Sequence, residues 1–409
     1  MKKHNLLSNV LNFTFIQSLN YIFPLLVIPI IITRFGLEFY GDVAFTQNVG
    51  QFILVIALFG MDQYGVKKVI ESKDLYVDCM SIQSIRFILF FIFLSIAFVL
   101  LMHDFIKIIV FILLLGTVSQ SLQPIWYFQG QSKLIIVVLS NLAGKALSLA
   151  LIFLSNTEFD LVLGLSLQFM LPIILLNYFM YRDFTDFFKK NESNFTLVAI
   201  KDNAIGAIDY FQTSLFSTIL TSSSLFFVGI FSDEKASVGL FAIIDRVFKT
   251  ASKVFSIFSN SLYPISCEKA KDGFDTLCSY TFKKAKVTLF IYVVIVIFLL
   301  TLSPFIIDML GWEFKDYVIS VAIVLSIWLF FGILNNFLGI QILMSYGKVG
   351  TYKEFLFISG ICSLVLMVIL GYIFKDVGVI TAIAIGESVL SLLLIKRVLR
   401  GKNENWCNV

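Results

Sequence analysis

Charge is scarce in this sequence. Asp, Glu, Lys and Arg together make up 14% of its 409 residues, where a soluble globular domain carries about a quarter. The chain is 58% hydrophobic, with a mean hydropathy of +0.92. That excludes an ordinary soluble fold and points to a polytopic membrane protein. Histidine is limited to His4 and His103, both outside the apolar runs. No Ser-His-Asp triad, HExxH motif or metal cluster can be assembled around them. A GxxxxGKS/T loop is also missing, which excludes ATP hydrolysis by that route. The cysteines number five and form no CxxC pair, so no disulfide framework, redox site or zinc site is indicated. Cys79, Cys267, Cys278 and Cys407 are expected in cytoplasmic loops or the tail, and Cys362 within a helix. There is no low-complexity tract and no segment long enough for a separate soluble domain. No enzymatic activity, resident cofactor or nucleic-acid partner is expected.

What is present is a series of apolar runs of membrane-spanning length, near 11–33, 43–62, 84–102, 106–128, 134–155, 161–180, 206–231, 237–263, 286–307, 318–344, 353–374 and 377–396. They predict an all-α membrane protein of twelve transmembrane helices. The basic start MKKHNLLSNVLNFTFIQ runs into the first of these and lacks a small-residue cleavage site, so it reads as a helix and not a removed signal. With the N-terminus inside, only Arg34, Lys107, Lys235, Lys315 and Lys375 fall outside. Most of the 31 Lys and Arg then face the cytoplasm, which predicts that both termini are cytoplasmic. The polar break at 182–205 separates a six-helix lobe at 1–181 from a second at 206–396, with a tail at 397–409. RFGLEFYGDVAF and FSDEKASVGLFAI occupy equivalent places in the two lobes, as do WYFQGQSK and ILMSYGKV. The pattern suggests an internal repeat, pairing Gly41 with Gly239 and Gly130 with Gly347 as turn glycines.

Four cations lie well inside the runs, away from their ends: Lys145, Arg246, Lys249 and Lys253. The last three are spaced three and four apart on the run 237–263, so they share one helix face, continued by Ser256 and Asn260. Each costs about 2.5–3.5 kcal/mol near a bilayer centre. Snorkelling to the headgroups would serve Arg246 or Lys253 but serves Lys249 poorly. Asp245 and Lys249 form an i,i+4 pair, yet one acid cannot neutralise three bases. The stripe is therefore expected to face a hydrated cavity and to contact an anionic substrate, and Lys249→Glu is expected to stay in the membrane without transporting. Lys145 shares a face with Asn141 and Ser148. It is expected either to join the same cavity or to pair with Glu387.

Other polar residues have two readings. Asp209, Thr213, Ser217, Thr221 and Ser224 line one face of the run 206–231, as packing contacts or as cavity lining. Asp62 and Asp209 are expected at cytoplasmic helix ends, and Arg34 and Arg86 as interfacial anchors. Trp126, Tyr127, Trp312 and Tyr317 are expected in aromatic belts. Gln47, Gln51, Gln120, Gln123, Asn335 and Asn336 could meet sugar hydroxyls, and Pro24 and Pro29 could bend the first helix. Asp245 and Glu387 are candidate groups for coupling to a proton or sodium gradient.

The opening NFTFIQSLNYIFPLLVIPIIITRFGLEFYG resembles the first helix and loop of bacterial O-antigen and capsule flippases. QPIWYFQGQSK resembles their stretch after the fourth helix, and VGLFAIIDRV and SLYPISCEKA the start and end of their eighth. The chain thus resembles the Wzx-like polysaccharide flippases of the multidrug/oligosaccharidyl-lipid/polysaccharide exporter superfamily. That resemblance implies two six-helix lobes around a central cavity that opens to alternate sides of the inner membrane. It implies a substrate of undecaprenyl-diphosphate-linked oligosaccharide, and polymerase and chain-length machinery as partners. Lys145, Arg246, Lys249 and Lys253 become candidates for diphosphate and acidic-sugar contacts. Lipid II flippases of the superfamily resemble it but usually carry two more helices.

Rival readings are an ion-coupled drug/cation antiporter of the same fold and a membrane polysaccharide polymerase. The antiporter predicts an acid-dominated cavity, and the polymerase a large outer loop that this sequence lacks. A sugar transporter of the major facilitator type would resemble GxxxDRxGRR after the second helix. GMDQYGVKKVIESKD stands there instead.

Overall fold

The computed structural model describes residues 19–20, 22–71, 74–188, 197–309 and 315–403, apart from some side chains within the helices. All regular secondary structure among them is helical. Apolar runs interrupted by few charges satisfy their backbone polar groups internally, as a bilayer requires. Among the described residues, seven helical stretches are long and apolar enough to cross a membrane: Leu37–Glu71, Leu75–Met102, Ile108–Gly130, Leu134–Leu154, Glu158–Phe184, Lys315–Met344 and Val349–Gly401. The chain packs as two compact units, Met1–Ser222 and Ser223–Val409.

The first unit holds α1 (Ile22–Phe35), α2 (Leu37–Leu58), α3 (Met61–Glu71), α4 (Leu75–Met102), α5 (Ile108–Ser119), α6 (Ile125–Gly130), α7 (Leu134–Leu154) and α8 (Glu158–Phe188). It also takes most of α9 (Leu197–Phe231). α2 and α3 are separated by two left-handed residues, Phe59 at φ 46° and Gly60 at φ 69°. A β-carbon at Gly60 would lie 2.3 Å from the Phe211 backbone nitrogen, so only glycine lets α9 pass this corner. α5 ends in a 3₁₀ turn at Gln120–Leu122, and Pro124 starts α6.

The segment WYFQGQSK is a packing motif here. Trp126 and Tyr127 are 1% and 2% exposed, inside the core and not in an interfacial belt. The reason is the absence of a side chain at Gly65, whose β-carbon would stand 2.7 Å from the Trp126 ring. Gly130 likewise faces Val69 Cγ1 at 2.5 Å and is helical; the left-handed residue of that turn is Ser132. Gly41 and Gly239 lie buried within helices, so three of the four glycines expected in turns are helical instead. Gly347, at φ 79°, is a true turn glycine.

The second unit holds the end of α9, α10 (Lys235–Lys271), α11 (Phe274–Met309), α12 (Lys315–Asn335) and α13 (Val349–Asn403). α12 continues as a π-helix over Asn336–Met344. α13 is broken at Phe374 and Lys375, where the expected runs 353–374 and 377–396 meet. Lys375, at φ 56°, makes an ion pair with Asp233 at 3.0 Å. Cys79, Cys267 and Cys278 are on helices and not in loops, with Cys79 and Cys278 fully buried in apolar cores. Exposed Phe91, Ile92, Ile96 and Phe98 on α4, and Phe290, Ile291, Val294 and Phe298 on α11, give the outer surface a lipid-compatible character.

Candidate functional site

The site is built on α10. Its 37 residues extend about 55 Å at 1.5 Å per residue, longer than a hydrocarbon core of roughly 30 Å, although α10 is not one of the seven apolar stretches. The side that meets α11 and α12 carries Phe248, Ala251, Phe255 and Leu262, packed on a core of Ala285, Tyr292, Leu329, Ile333 and Phe337. Packing fixes the rotation of the helix and so fixes where its cations lie.

The three cations of the stripe differ in their surroundings. Lys249 Nζ is 2.7 Å from Asp245 Oδ2, and Asp245 is buried at 7% exposure. Lys249 therefore neutralises an acid within its own helix. The Arg246 side chain is half-buried, and its Nε is buried with no hydrogen-bond partner among the described residues. A buried donor without a partner costs about 1–3 kcal/mol; the Nε of Arg86 is in the same state, and what sets Arg246 apart is its partial exposure on the cationic face of α10. Lys253 is exposed and has no ion-pair or hydrogen-bond partner among the described residues. Its helix neighbours Ser252, Ser256 and Ser259 line, with it, a partly open cavity of about 130 Å³ against Gly332, Ile333, Asn336 and Phe337. Asn260 has no described side chain.

A polar layer braces this face. Ser259 Oγ donates to Asn336 Oδ1 at 2.5 Å, Gln341 Nε2 donates to the Ser259 carbonyl at 2.8 Å, and Ser266 Oγ donates to Gln341 Oε1 at 2.7 Å. The π-helix supplies Asn336 and Gln341 to this layer, and π segments recur at functional places. Asn335 Nδ2 donates to Glu387 Oε2 at 2.6 Å, while Ser391 Oγ donates to Asn335 Oδ1 at 2.5 Å. Glu387 is thus held inside its own unit by an amide.

Lys145 belongs to the first unit and is 9% exposed. Its Nζ is 3.4 Å from Gln168 Oε1 on α8 and 4.7 Å from the centre of the Phe23 ring on α1. Asn141 donates to the Val137 carbonyl, and Ser148 to the Gly164 carbonyl. These contacts hold Lys145 where α1, α7 and α8 meet. On α9, Asp209 is exposed and Ser224 buried, while the Thr213, Ser217 and Thr221 side chains lie outside the described residues, as does Trp312.

Two arginines have structural partners that the sequence did not reveal. Arg86 is 0% exposed and is no interfacial anchor: it pairs with Asp62 and donates to the Gln123 carbonyl at 3.0 Å. One cation thereby ties α4 to the start of α3 and to the turn between α5 and α6. The signal available was Asp62 following the GM turn after α2, but sequence spacing cannot align two different helices. Arg34 Nη1 donates to the carbonyls of Ile152, Phe153 and Ser155, closing the C-terminus of α7. Further in, Asn203 Nδ2 donates to Asp78 and Tyr64 Oη donates to Asn203, fastening α9 to α3 and α4.

The comparisons agree with this architecture. The family described as "Polysaccharide biosynthesis protein" matches residues 6–270. The "Putative O-antigen transporter" of Escherichia coli (strain K12) is 22% identical, over 96% of this chain and 97% of that protein. Among solved structures, the lipid II flippase MurJ in an inward closed conformation aligns with a TM-score of 0.71 at 16% identity, covering 95% of this chain and 87% of its own. An inward-facing multidrug resistance MATE family transporter of the MOP superfamily aligns with a TM-score of 0.63 at 15% identity, covering 94% and 96%. The fold is that of MurJ and the MATE transporters, and the relatives are transport proteins and not enzymes. This chain is a multi-pass membrane protein that belongs to the polysaccharide biosynthesis protein family.

Proposed function

We propose that this protein flips undecaprenyl-diphosphate-linked oligosaccharide, an O-antigen or capsule repeat unit, from the cytoplasmic to the outer leaflet of the bacterial inner membrane. The observation that carries the reading is Arg246: a half-buried cation on a membrane-length helix, with a buried Nε that has no partner among the described residues. A diphosphate offers paired anionic oxygens that a guanidinium meets in bidentate fashion. Lys253 lies two turns along the same helix, about 10 Å further by the helical rise. It is placed for a second anionic group or for the first sugars. Lys249 contributes positive potential while balancing Asp245. Lys145, which lies in the first unit, is a further candidate for contact with the anionic substrate.

The reading includes twelve crossings in two six-helix lobes, both termini in the cytoplasm, and a central cavity that opens alternately to either side. The Lys and Arg bias supports that orientation. Coupling to a proton or sodium gradient is part of the proposal, with Asp245, Glu387 and Asp209 as the candidate groups. Polymerase and chain-length proteins would receive the product. A cation antiporter of the same fold needs acids available to its cargo. Asp245 is bound to Lys249 and Glu387 to Asn335, which favours the flippase.

The test is complementation of a deletion strain by wild type or by Arg246→Gln at equal membrane levels. The proposal expects wild type to restore surface polysaccharide, and Arg246→Gln to lose most of it while lipid-linked oligosaccharide builds up. Full surface glycan with Arg246→Gln removes that residue from the mechanism.

A further inference from the structure

The cavity beside Lys253 has features of its own. Ser252, Lys253, Phe255, Ser256 and Ser259 of α10 form one wall, and Gly332, Ile333, Asn336 and Phe337 the other. Its volume of about 130 Å³ is about ten times what one water needs, room for a ring-sized polar group. A β-carbon at Gly332 would meet nothing within 4 Å, so the missing side chain is itself part of the space. Ser259 Oγ donates to Asn336 Oδ1. That bond fixes the amide so that its Nδ2 donors are left without an acceptor among the described residues. Lys253 is likewise unpaired there. Two phenylalanines, several hydroxyls, an amide donor and one cation around a small cavity suit a sugar ring with a negative charge.

We infer that this cavity is a subsite for an acidic monosaccharide of the transported glycan, with Lys253 pairing the sugar carboxylate and Asn336 Nδ2 donating to a ring hydroxyl. The inference rests on the glycan-transport reading and adds a substrate class to it. It divides the stripe, giving Arg246 the diphosphate and Lys253 the charged sugar. Phe337, 1% exposed, and Gln341, 1% exposed, hold the π-helix wall in place. Selection between charged and neutral glycans then depends on one cavity.

The test uses the purified full-length protein in lipid nanodiscs, with methyl glucuronide, methyl glucoside and inorganic pyrophosphate as probes. Expected is saturable glucuronide binding at least tenfold tighter than glucoside. Lys253→Gln should weaken glucuronide at least tenfold. Gly332→Leu fills the space without removing charge, and should abolish glucuronide binding while leaving pyrophosphate unchanged. No glucuronide preference in wild type, or an effect of Lys253→Gln on all anions with none of Gly332→Leu, overturns the inference. Complementation of the deletion strain separates the two claims. Wild type that restores surface glycan but does not prefer glucuronide loses only the subsite; wild type that prefers glucuronide but restores nothing loses the transport reading.

Discussion

Lys249 and Asp245 make the sharpest structural prediction, because removing either partner has a calculable cost. Asp245 is buried, and Lys249 Nζ at 2.7 Å is its ion-pair partner. Breaking a buried pair by deleting one member costs about 3–5 kcal/mol, chiefly because the surviving charge is stranded. The Lys249 side chain retains 30% exposure, so water screens part of this and the lower end, about 3 kcal/mol, applies. Lys249→Met is expected to lose that amount. Adding Asp245→Asn removes the stranded charge and should recover most of it, a coupling of about 2 kcal/mol or more by double-mutant cycle. Lys249→Glu sets a second carboxylate beside the first. It is therefore expected to lower the amount of folded protein, against the sequence-based expectation that it would only stop transport. The assay is thermal unfolding of detergent-purified variants beside their membrane levels. Equal stability of Lys249→Met and wild type, or no recovery in the double variant, would refute the reasoning.

Other predictions follow from the same reading. Arg86 is fully buried while the Asp62 side chain is 51% exposed, so Asp62→Ala strands a buried cation and should destabilise by about 2–3 kcal/mol, whereas Arg86→Met should cost about 1 kcal/mol or less; the two unfolding temperatures decide it. Gly65→Leu drives a side chain into the Trp126 ring and should cost about 3 kcal/mol or more through overpacking, visible as lost membrane protein. A fluorescent protein fused after Val409 should fluoresce and alkaline phosphatase there should be inactive, since both termini are proposed to be cytoplasmic; the opposite pattern reverses the topology.

Much of the architecture was legible because membrane helices declare themselves by length and apolarity. The run 134–155 coincides with α7 at Leu134–Leu154, and the stripe on α10 could be read from spacing alone. Helix breaks were harder. Gly60 and Lys375 take left-handed conformations set by tertiary packing, and the π-helix at 336–344 has no sequence period of its own. Trp126 and Arg86 mislead for a shared reason. An aromatic or a cation near a predicted helix end looks interfacial until the partner helix is known, and Gly65 and Asp62 are those partners. Sequence likewise could show that Asp245 and Lys249 are close, but not that Arg246 would be left with a buried Nε unpartnered among the described residues.

The most direct measurement of the central claim is leaflet-to-leaflet movement in vitro. The full-length protein would be reconstituted into vesicles loaded with undecaprenyl-diphosphate oligosaccharide, and a glycan-modifying probe confined to one side would report what has crossed. The account predicts rapid crossing with wild type and a rate at least tenfold lower for Arg246→Gln with Lys253→Gln at equal incorporation. Crossing no faster than in protein-free vesicles, or an undiminished rate in the double variant, would contradict it.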